Sequence, residues 1–306
     1  MKSSSHPSSY LAHGTLFLCS IIWGGTFVFQ KIAMAHMSPL LFNMLRCLIS
    51  VLFLWLFICV YQRKTLYKKK FITDNEFKVG ACIGVVLWLA LGFQQIGLVD
   101  TTASKASFIT GLYIIFVPFV LKIFFSGTVA SWQLSMASLA CLGLFLLTTS
   151  VHDFGIGNGD LWVLASAVMW AVHVSILGQY HRRGRVLQIA MIQMLSCALL
   201  SGISSLLLME PWSGVLAVLP SLLFTGLLSG GIAFTLQLFG QNTISSPVAA
   251  IILSFEAVFG AWAGWYFLHE PFSLRNLMGA LLIMLAITLV EVTNYLQLRA
   301  KRVGLN

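Results

Sequence analysis

The chain has 306 residues, of which 58% are hydrophobic and 9% charged, and its formal net charge is +9. A soluble domain carries about 25% charged residues, so this composition excludes an ordinary soluble fold and predicts a protein embedded in a membrane. The basic residues lie in short runs between apolar stretches, which is typical of membrane-topology signals, and we expect no nucleic acid as a partner.

Ten apolar stretches are long enough to cross a bilayer, for which a helix needs about 20 residues. We divide the long uncharged region before Glu256 at the polar turn signal from Gln241 to Pro247. The sequence thus predicts an all-α membrane protein whose ten transmembrane helices cover 11–34, 39–60, 78–99, 102–124, 131–150, 160–178, 187–209, 215–238, 247–268 and 276–296. All six cysteines lie inside apolar stretches without a CxxC pair, so we expect no disulfide framework, metal or cofactor.

The distribution of basic residues indicates how the helices are oriented. With ten spans, most of these residues fall on one side of the membrane, which is the cytoplasmic side. Both termini are therefore expected in the cytoplasm. The cytoplasmic set is Lys2, Arg63, Lys64, Lys68, Lys69, Lys70, Lys78, Lys122, Arg182, Arg183, Arg185, Arg299, Lys301 and Arg302, and the other side keeps Lys31, Lys105 and Arg275.

The two halves of the sequence show weak similarity to each other. Trp23 matches Trp170, and at the same offset Arg46 stands over Gln193. Further along, Gly97 matches Gly240 at nearly that offset, and the same alignment pairs Tyr113 with Glu256. Each half holds five helices, and an odd number places the second half upside down in the membrane. This inverted repeat is the plan of many secondary transporters, in which substrate binds near the midplane between the halves.

Several segments resemble a known family. The run Trp23-Gly-Gly-Thr-Phe-Val-Phe-Gln-Lys31 looks like the first-helix signature of the EamA-type transporters of the drug/metabolite transporter superfamily. Arg46 is similar to the arginine of their second helix. Residues 101–113, with Pro118 after them, resemble the fourth helix of the family. Residues 254–256 resemble its ninth helix, and 269–271 the turn that follows. Where the family commonly has proline after the ninth-helix glutamate, this chain has Ala257, so we expect a straighter helix 9.

The resemblance implies two five-helix repeats, over 11–150 and 158–296, in the cell (inner) membrane. It also implies a multi-pass, secondary-active transporter that exports small metabolites such as amino acids by alternating access. The expected partners are a small-molecule substrate and the lipid bilayer, and the resemblance does not decide whether the protein forms a homodimer.

The substrate path is predicted from ionisable, aromatic and amide side chains inside the spans. Glu256 lies near the midplane, where an ionisable residue is costly and indicates function by default; it could bind a cation, exchange a proton, or only join two helices. Lys31, Arg46 and Lys105 lie nearer the outer ends and could either reach the interface or attract an anionic group. The remaining candidates are Trp23, Tyr113, Trp170 and His173, whose rings suit amino acids and cations, and Gln95 and Gln237, with Gln94 and Gln241 as weaker ones.

Two other functions are considered. Gly157-Asn-Gly-Asp160 matches the GxGD string of intramembrane aspartyl proteases, but Asp160 begins its helix at the membrane edge, where a turn and an N-cap are expected. We therefore expect no enzyme. The second alternative is an anion exchanger for phosphorylated or nucleotide-linked metabolites. That function requires clustered bases in the cavity, for which the sequence offers only Lys31, Arg46 and Lys105.

Overall fold

The computed structural model describes residues 9–63, 72–127, 129–148, 157–180 and 185–303, and these form ten helical segments, several of them interrupted. Eight segments have the length and composition to cross a membrane, and the apolar parts over 131–146 and 274–290 are shorter. The predicted ten helices are thereby confirmed. The segments are α1 (Ser9–Met34), α2 (Pro39–Arg63), α3 (Asp74–Asp100), α4a (Ala103–Gly111), α4b (Tyr113–Phe125), α5 (Ser131–Thr148), α6 (Asn158–Tyr180), α7 (Val186–Leu207), α8a (Leu219–Leu223), a π-helix (Phe224–Ala233), α8b (Phe234–Gln241), α9a (Ser246–Leu253), α9b (Glu256–Leu268) and α10 (Leu274–Val303).

The helix boundaries follow from local sequence. α3 begins with a capping box, in which Thr73 and Glu76 each accept a bond from the other's backbone N–H. The segments α7 and α9b are both followed by a left-handed residue, a glutamate and a proline. Met209 (φ 51°) precedes Glu210, and His269 (φ 55°) precedes Glu270. Each glutamate N–H bonds back to a carbonyl of the last turn, and the proline then stops the helix.

The fourth and ninth segments are interrupted at matching places. The N–H groups of Leu112 and Ile115 bond three residues back instead of four, and those of Phe255 and Ala257 do the same. In the ninth segment the Ser254 hydroxyl donates to the Ile251 carbonyl at 2.7 Å, which competes with regular helix bonding. The expectation of a straighter helix 9 is therefore corrected, because this turn tightens without a proline.

Close packing joins the two halves of the chain. α3 lies along α6 and α7, α2 along α7, α5 along α10, and α1 against α8b and α9b. Small residues allow the approach of α3 to α7. A Cβ at Gly80 would lie 2.7 Å from that of Ile192, and one at Gly84 2.6 Å from that of Ser196. The halves therefore share one interior instead of forming separate bundles.

Polar contacts define two ends of this bundle. At the Lys31 end, the Nζ of Lys31 donates to the Leu98 and Val99 carbonyls, both at 3.0 Å, which brings the ends of α1 and α3 together. At the Glu76 end, Glu76 near the start of α3 pairs with Arg185, which precedes α7. Back at the Lys31 end, Glu210 follows the last turn of α7 and accepts from the N–H of Leu41, at the start of α2, at 2.9 Å. Helices α2 and α7 consequently run antiparallel.

Candidate functional site

A cavity lies in the middle of the bundle, between helices of both halves. Five predicted residues line it: Trp23, Arg46, Tyr113, Trp170 and Glu256. The other lining residues are Thr26, Phe27, Gln30, Leu91, Gln94, Thr110, Val174, Ser229 and Phe234.

The polar side of the cavity is built by two bonded pairs. Arg46 of α2 donates from Nη1 to the Gln30 Oε1 of α1 at 2.8 Å, with its guanidinium 5.6 Å from the Phe42 ring centroid. Gln94 of α3 donates from Nε2 to the Thr110 Oγ1 of α4a at 3.0 Å. These bonds join neighbouring helices and hold both side chains in place. Arg46 as a whole is 4% exposed, so its charge acts in a poorly hydrated environment.

Three aromatic rings form the opposite wall. Trp23 and Trp170 have ring centroids 5.6 Å apart, and Phe234 lies 4.9 Å from Trp23 and 5.9 Å from Trp170. Within the described part of the chain, the indole Nε1 of Trp23, that of Trp170 and the Nη2 of Arg46 have no hydrogen-bond acceptor. The cavity wall thus offers donors that a ligand with oxygen acceptors can satisfy.

The interruptions of the fourth and ninth segments place the remaining predicted residues. Tyr113 is the first residue of α4b, and Glu256 is the first of α9b. Both are buried, and both line the cavity. Among the residues that the structure describes, neither Glu256 nor Arg46 belongs to an ion pair. A basic and an acidic side chain therefore line one cavity, and neither forms an ion pair with the described part of the chain.

Two lysines from the predicted path lie at the helix ends, where the sequence placed them, and do not line the cavity. Lys31 donates to the carbonyls at the end of α3, where the helix dipole favours a cation. Lys105 pairs with Asp160 at 2.7 Å, and the Thr101 hydroxyl donates to the same carboxylate at 2.7 Å. Asp160 also accepts from the Gly157 N–H at 2.9 Å, so it serves as a structural anchor at the Lys31 end and not as one of a pair of cavity acids.

Three further candidates are buried away from the cavity. Gln95 and Gln237 are 0% exposed, and neither amide finds a partner among the described residues. His173 lies behind the aromatic wall, edge-on to Trp170 and Phe234 at 5.5 and 6.0 Å between ring centroids. Its Nε2 lies 3.4 Å from the Gln193 Oε1. Gln94 lines the cavity, although the sequence ranked it lower than Gln95.

Sequence reasoning missed Thr26, Gln30, Thr110, Ser229 and Phe234. A signal for two of them was present. Trp23, Thr26 and Gln30 follow the i, i+3, i+7 spacing of one helix face, which would have extended the face already marked by Trp23. In the parts of the chain that the structure covers, no group of three or more His, Cys, Asp or Glu side chains could hold a metal ion.

Comparisons with known proteins agree with this architecture. The model of the EamA-like transporter family matches residues 11–149 and again residues 157–292. An uncharacterized transporter of Archaeoglobus fulgidus is 29% identical over 277 residues, covering 90% of this chain and 84% of that protein. The uncharacterized transporter YoaV of Bacillus subtilis is 26% identical and covers 86% of this chain and 91% of its own length.

Another Bacillus subtilis protein, the uncharacterized transporter YvbV, is 29% identical over 309 aligned positions and covers 94% of this chain. A crystal structure with 17% sequence identity superposes with a TM-score of 0.73 over 96% of this chain and 99% of the other. At that identity the superposition shows a shared fold.

Proposed function

The chain belongs to the EamA-like transporter family and is a multi-pass membrane transporter, and from that premise we propose that it exports small zwitterionic metabolites, of which amino acids are the simplest. It works as a secondary-active transporter, by alternating access. The observation that carries this proposal is that a basic side chain, Arg46, and an acidic one, Glu256, line one buried cavity. A zwitterion has a charged group of the opposite sign for each.

The chemistry of the cavity supports a zwitterion over a singly charged solute. An ion buried without a partner costs several kcal/mol. An α-carboxylate accepting from Arg46, and an ammonium group donating to Glu256, would balance both charges at once. The indole Nε1 groups of Trp23 and Trp170 provide further donors for the carboxylate, and their rings suit an apolar side chain or a cation.

The anion exchanger is less well supported by the cavity. A phosphorylated metabolite needs several bases around its phosphate. Of the three bases that the sequence offered, only Arg46 lines the cavity, because Lys31 is bound to α3 carbonyls and Lys105 to Asp160. A single guanidinium opposite a carboxyl is a poor site for a dianion.

Alternating access rests on the proposed inverted repeat over 11–150 and 158–296. Two separate matches of one family model support this division, and so does the antiparallel course of α2 and α7, which the repeat pairs with each other. We place the protein in the cell (inner) membrane. Its Glu76 end faces the cytoplasm, because the basic loops and both termini belong to that end. A reporter fused after Asn306 should then report the cytoplasm, and one inserted after Pro211 the outside.

Transport by purified protein tests the substrate class. In proteoliposomes without ATP, we expect counterflow of neutral amino acids, and at least about tenfold less of analogues that lack either the amine or the carboxylate, since each loses one charge-assisted contact. Arg46→Gln should remove the preference for the carboxylate, and Glu256→Gln the preference for the amine.

The matched control is Lys105→Gln, which removes a base outside the cavity. It should preserve the wild-type ranking of amino acids, analogues without the amine and analogues without the carboxylate. Equal transport of all three by the wild type would refute the zwitterion assignment. A strict requirement for ATP would refute secondary transport, and preferred exchange of sugar phosphates would favour the anion exchanger.

A further inference from the structure

The cavity has a buried counterpart on the second half of the chain. Arg46 and Gln30, which face the cavity, come from α2 and α1. Gln193 and His173 come from α7 and α6, and Gln193 stands over Arg46 in the repeat alignment. Each pair is joined by a side-chain contact between adjacent helices, at 2.8 Å in the first half and 3.4 Å in the second.

The two pairs lie at matching depths from opposite ends of the bundle. Arg46 comes seven residues after Pro39, at which α2 begins, and Gln193 seven residues after Val186, at which α7 begins. Seven residues of helix rise about 10 Å. Since α2 begins at the Lys31 end and α7 at the Glu76 end, the first pair is nearer the Lys31 end and the second pair nearer the Glu76 end.

The aromatic wall links the second pair to the cavity through His173. Trp170 and Phe234 line the cavity on one face, and His173 meets both rings edge-on from behind. A displacement of these two rings would bring the cavity to His173 and Gln193. Trp23, the partner of Trp170 in the repeat, meets the same rings from the side of the first half.

The second pair is incompletely bonded in this conformation. His173 and Gln193 are both 0% exposed, and the His173 Nδ1 and the Gln193 Nε2 have no partner among the described residues. A buried unpaired polar group costs about 1–3 kcal/mol. Because the Gln193 Oε1 accepts only, the contact requires a proton on the His173 Nε2, and Nδ1 is then an acceptor. The pair is left with one free acceptor and one free donor.

From these observations we infer a second substrate subsite, formed by His173 and Gln193, that faces the cavity when the transporter opens toward the Glu76 end. It rests on the proposed function and extends it. In that state the ammonium group of a zwitterion donates to the His173 Nδ1, and its carboxylate accepts from the Gln193 Nε2. When the cavity opens toward the Lys31 end, Glu256 binds the ammonium group and Arg46, held by Gln30, binds the carboxylate.

Labelling from each side of the membrane tests the opening. Gln193→Cys and Arg46→Cys are introduced into a variant without the six native cysteines, and oriented vesicles receive a membrane-impermeant maleimide on one side. Gln193→Cys should react only from the Glu76 side, and Arg46→Cys from the Lys31 side. Saturating amino acid should slow both reactions. The control is Ser175→Cys, since Ser175 is as buried and lies two residues from His173, on another face of α6; it should stay unreactive.

Sided transport tests the contact with substrate. His173→Phe and Gln193→Met keep side-chain size and remove the polar atoms. Each should raise the half-saturating concentration from the Glu76 side about tenfold, as expected for one lost hydrogen bond, and leave the value from the Lys31 side within about twofold. His173→Gln should restore part of the affinity.

The inference is overturned if Gln193→Cys reacts from neither side, or if it reacts without protection by substrate and the half-saturation values stay unchanged. A purely structural pair would instead weaken transport equally from both sides. Failure of the proposed function is distinct: the wild type would then move no amino acid in the same vesicles. If Gln193→Cys were still labelled from the Glu76 side in that case, the cavity would open toward that end as proposed. The amino acid as the ligand of the subsite would be refuted.

Discussion

Two glutamates at either end of α9b have opposite surroundings. Glu270, just after the helix, accepts from the backbone N–H of Ala103 and of Ser104 at 3.0 and 3.1 Å, and also from the Ser104 hydroxyl. Glu256, at the start of the helix, lines the cavity and has no ion pair within the described residues. The Glu270 carboxylate is bound by backbone and hydroxyl donors, whereas the Glu256 carboxyl lines the cavity.

The same difference separates the other charged residues at the ends of the bundle from those at its centre. Glu210 caps α2, Lys31 binds the end of α3, Lys105 binds Asp160, and Glu76 binds Arg185. Charges at helix ends complement the helix dipole and join neighbouring segments. Arg46, in contrast, has the neutral partner Gln30, and its Nη2 has no hydrogen-bond acceptor among the described residues. Charged residues at the ends therefore join helices of the bundle, whereas Arg46 and Glu256 at the cavity form no ion pair with the described residues.

The largest effect is expected at the cavity. Glu256→Gln should lower transport about 100-fold, which corresponds to about 2.7 kcal/mol, a typical cost for losing a charged partner in a buried contact. Thermal stability in detergent should stay nearly unchanged or rise, because no described ion pair is broken and a buried ionisable group is removed. The measurement is counterflow in proteoliposomes, with melting curves of the same preparations.

The pH dependence separates the roles of Glu256. If it exchanges a proton, Glu256→Gln should lose the pH dependence of transport; if it binds the substrate's ammonium group, the affinity should fall at every pH. Superimposable curves of wild type and variant would show a structural hydrogen bond only, and the contrast with Glu270 would disappear.

Glu270→Gln should show the reverse behaviour. The amide cannot accept from two N–H groups with both of its terminal atoms, so at least one donor at the start of α4a loses its charged acceptor. We expect a loss of about 1–2 kcal/mol in stability, the usual range for a charge-assisted cap. The half-saturating substrate concentration should change less than about twofold, because Glu270 does not line the cavity. A large loss of affinity with an unchanged melting temperature would contradict the assignment.

Glu210→Gln is the matched variant at the other capped helix. Glu210 accepts from Leu40 and Leu41 at 3.2 and 2.9 Å, and it follows a left-handed residue and precedes a proline as Glu270 does. A similar loss of stability is expected. The two caps should be additive, because they lie on different pairs of segments.

The sequence predicted which ionisable residues lie inside the apolar helices better than it predicted where their side chains extend. Arg46 and Glu256 could be identified because an ionisable residue inside a long apolar run is unusual. Lys31 and Lys105 met the same criterion, but their flexible side chains reach the ends of neighbouring segments. Which way a long side chain extends depends on the tertiary contacts at its helix end, and these are absent from the local sequence.

Pairs between helices were the least predictable feature. The ten segments follow from hydropathy alone, and the matched interruptions at Leu112 and Ser254 agree with the alignment of Tyr113 with Glu256. The contact of His173 with Gln193 depends on the rotation of α6 against α7, which many sequences of the same hydropathy could change. The alignment of Arg46 with Gln193 was the available sequence signal. It could be interpreted only after the structure showed that Arg46 bonds to Gln30.

Arg185→Lys should have a smaller effect than the loss of a cap. The Arg185 side chain donates from Nε and Nη2 to the two Glu76 oxygens, at 2.8 and 3.0 Å. The hydrogen-bonded Glu76 carboxylate raises the pKa of Arg185, so the contact contributes stability at neutral pH and loses it only as the pH rises through the raised pKa of the arginine. A lysine keeps the charge without the two-fold geometry.

We therefore expect a loss of about 1 kcal/mol or less for Arg185→Lys, because the arginine is partly exposed and solvent screens the pair. Melting curves should show the same difference between wild type and variant at neutral and mildly alkaline pH. A difference that vanishes at mildly alkaline pH would mean that another titrating group controls this contact.

Lys105→Gln should have the smallest effect, and it also separates the two functions. The lysine is 24% exposed in its pair with Asp160, and such pairs contribute about 0–1 kcal/mol. Asp160 keeps its bonds from Thr101 and the Gly157 N–H, so the turn before α6 should hold. If the cavity binds zwitterions, transport of amino acids should be unchanged within about twofold, because Lys105 does not line the cavity. In an anion exchanger the same variant would remove one of three bases that attract the substrate, and uptake would fall most at low salt, where such attraction is strongest. Uptake by Lys105→Gln at low and high ionic strength therefore distinguishes a structural charge at the end of the bundle from one that serves the cavity.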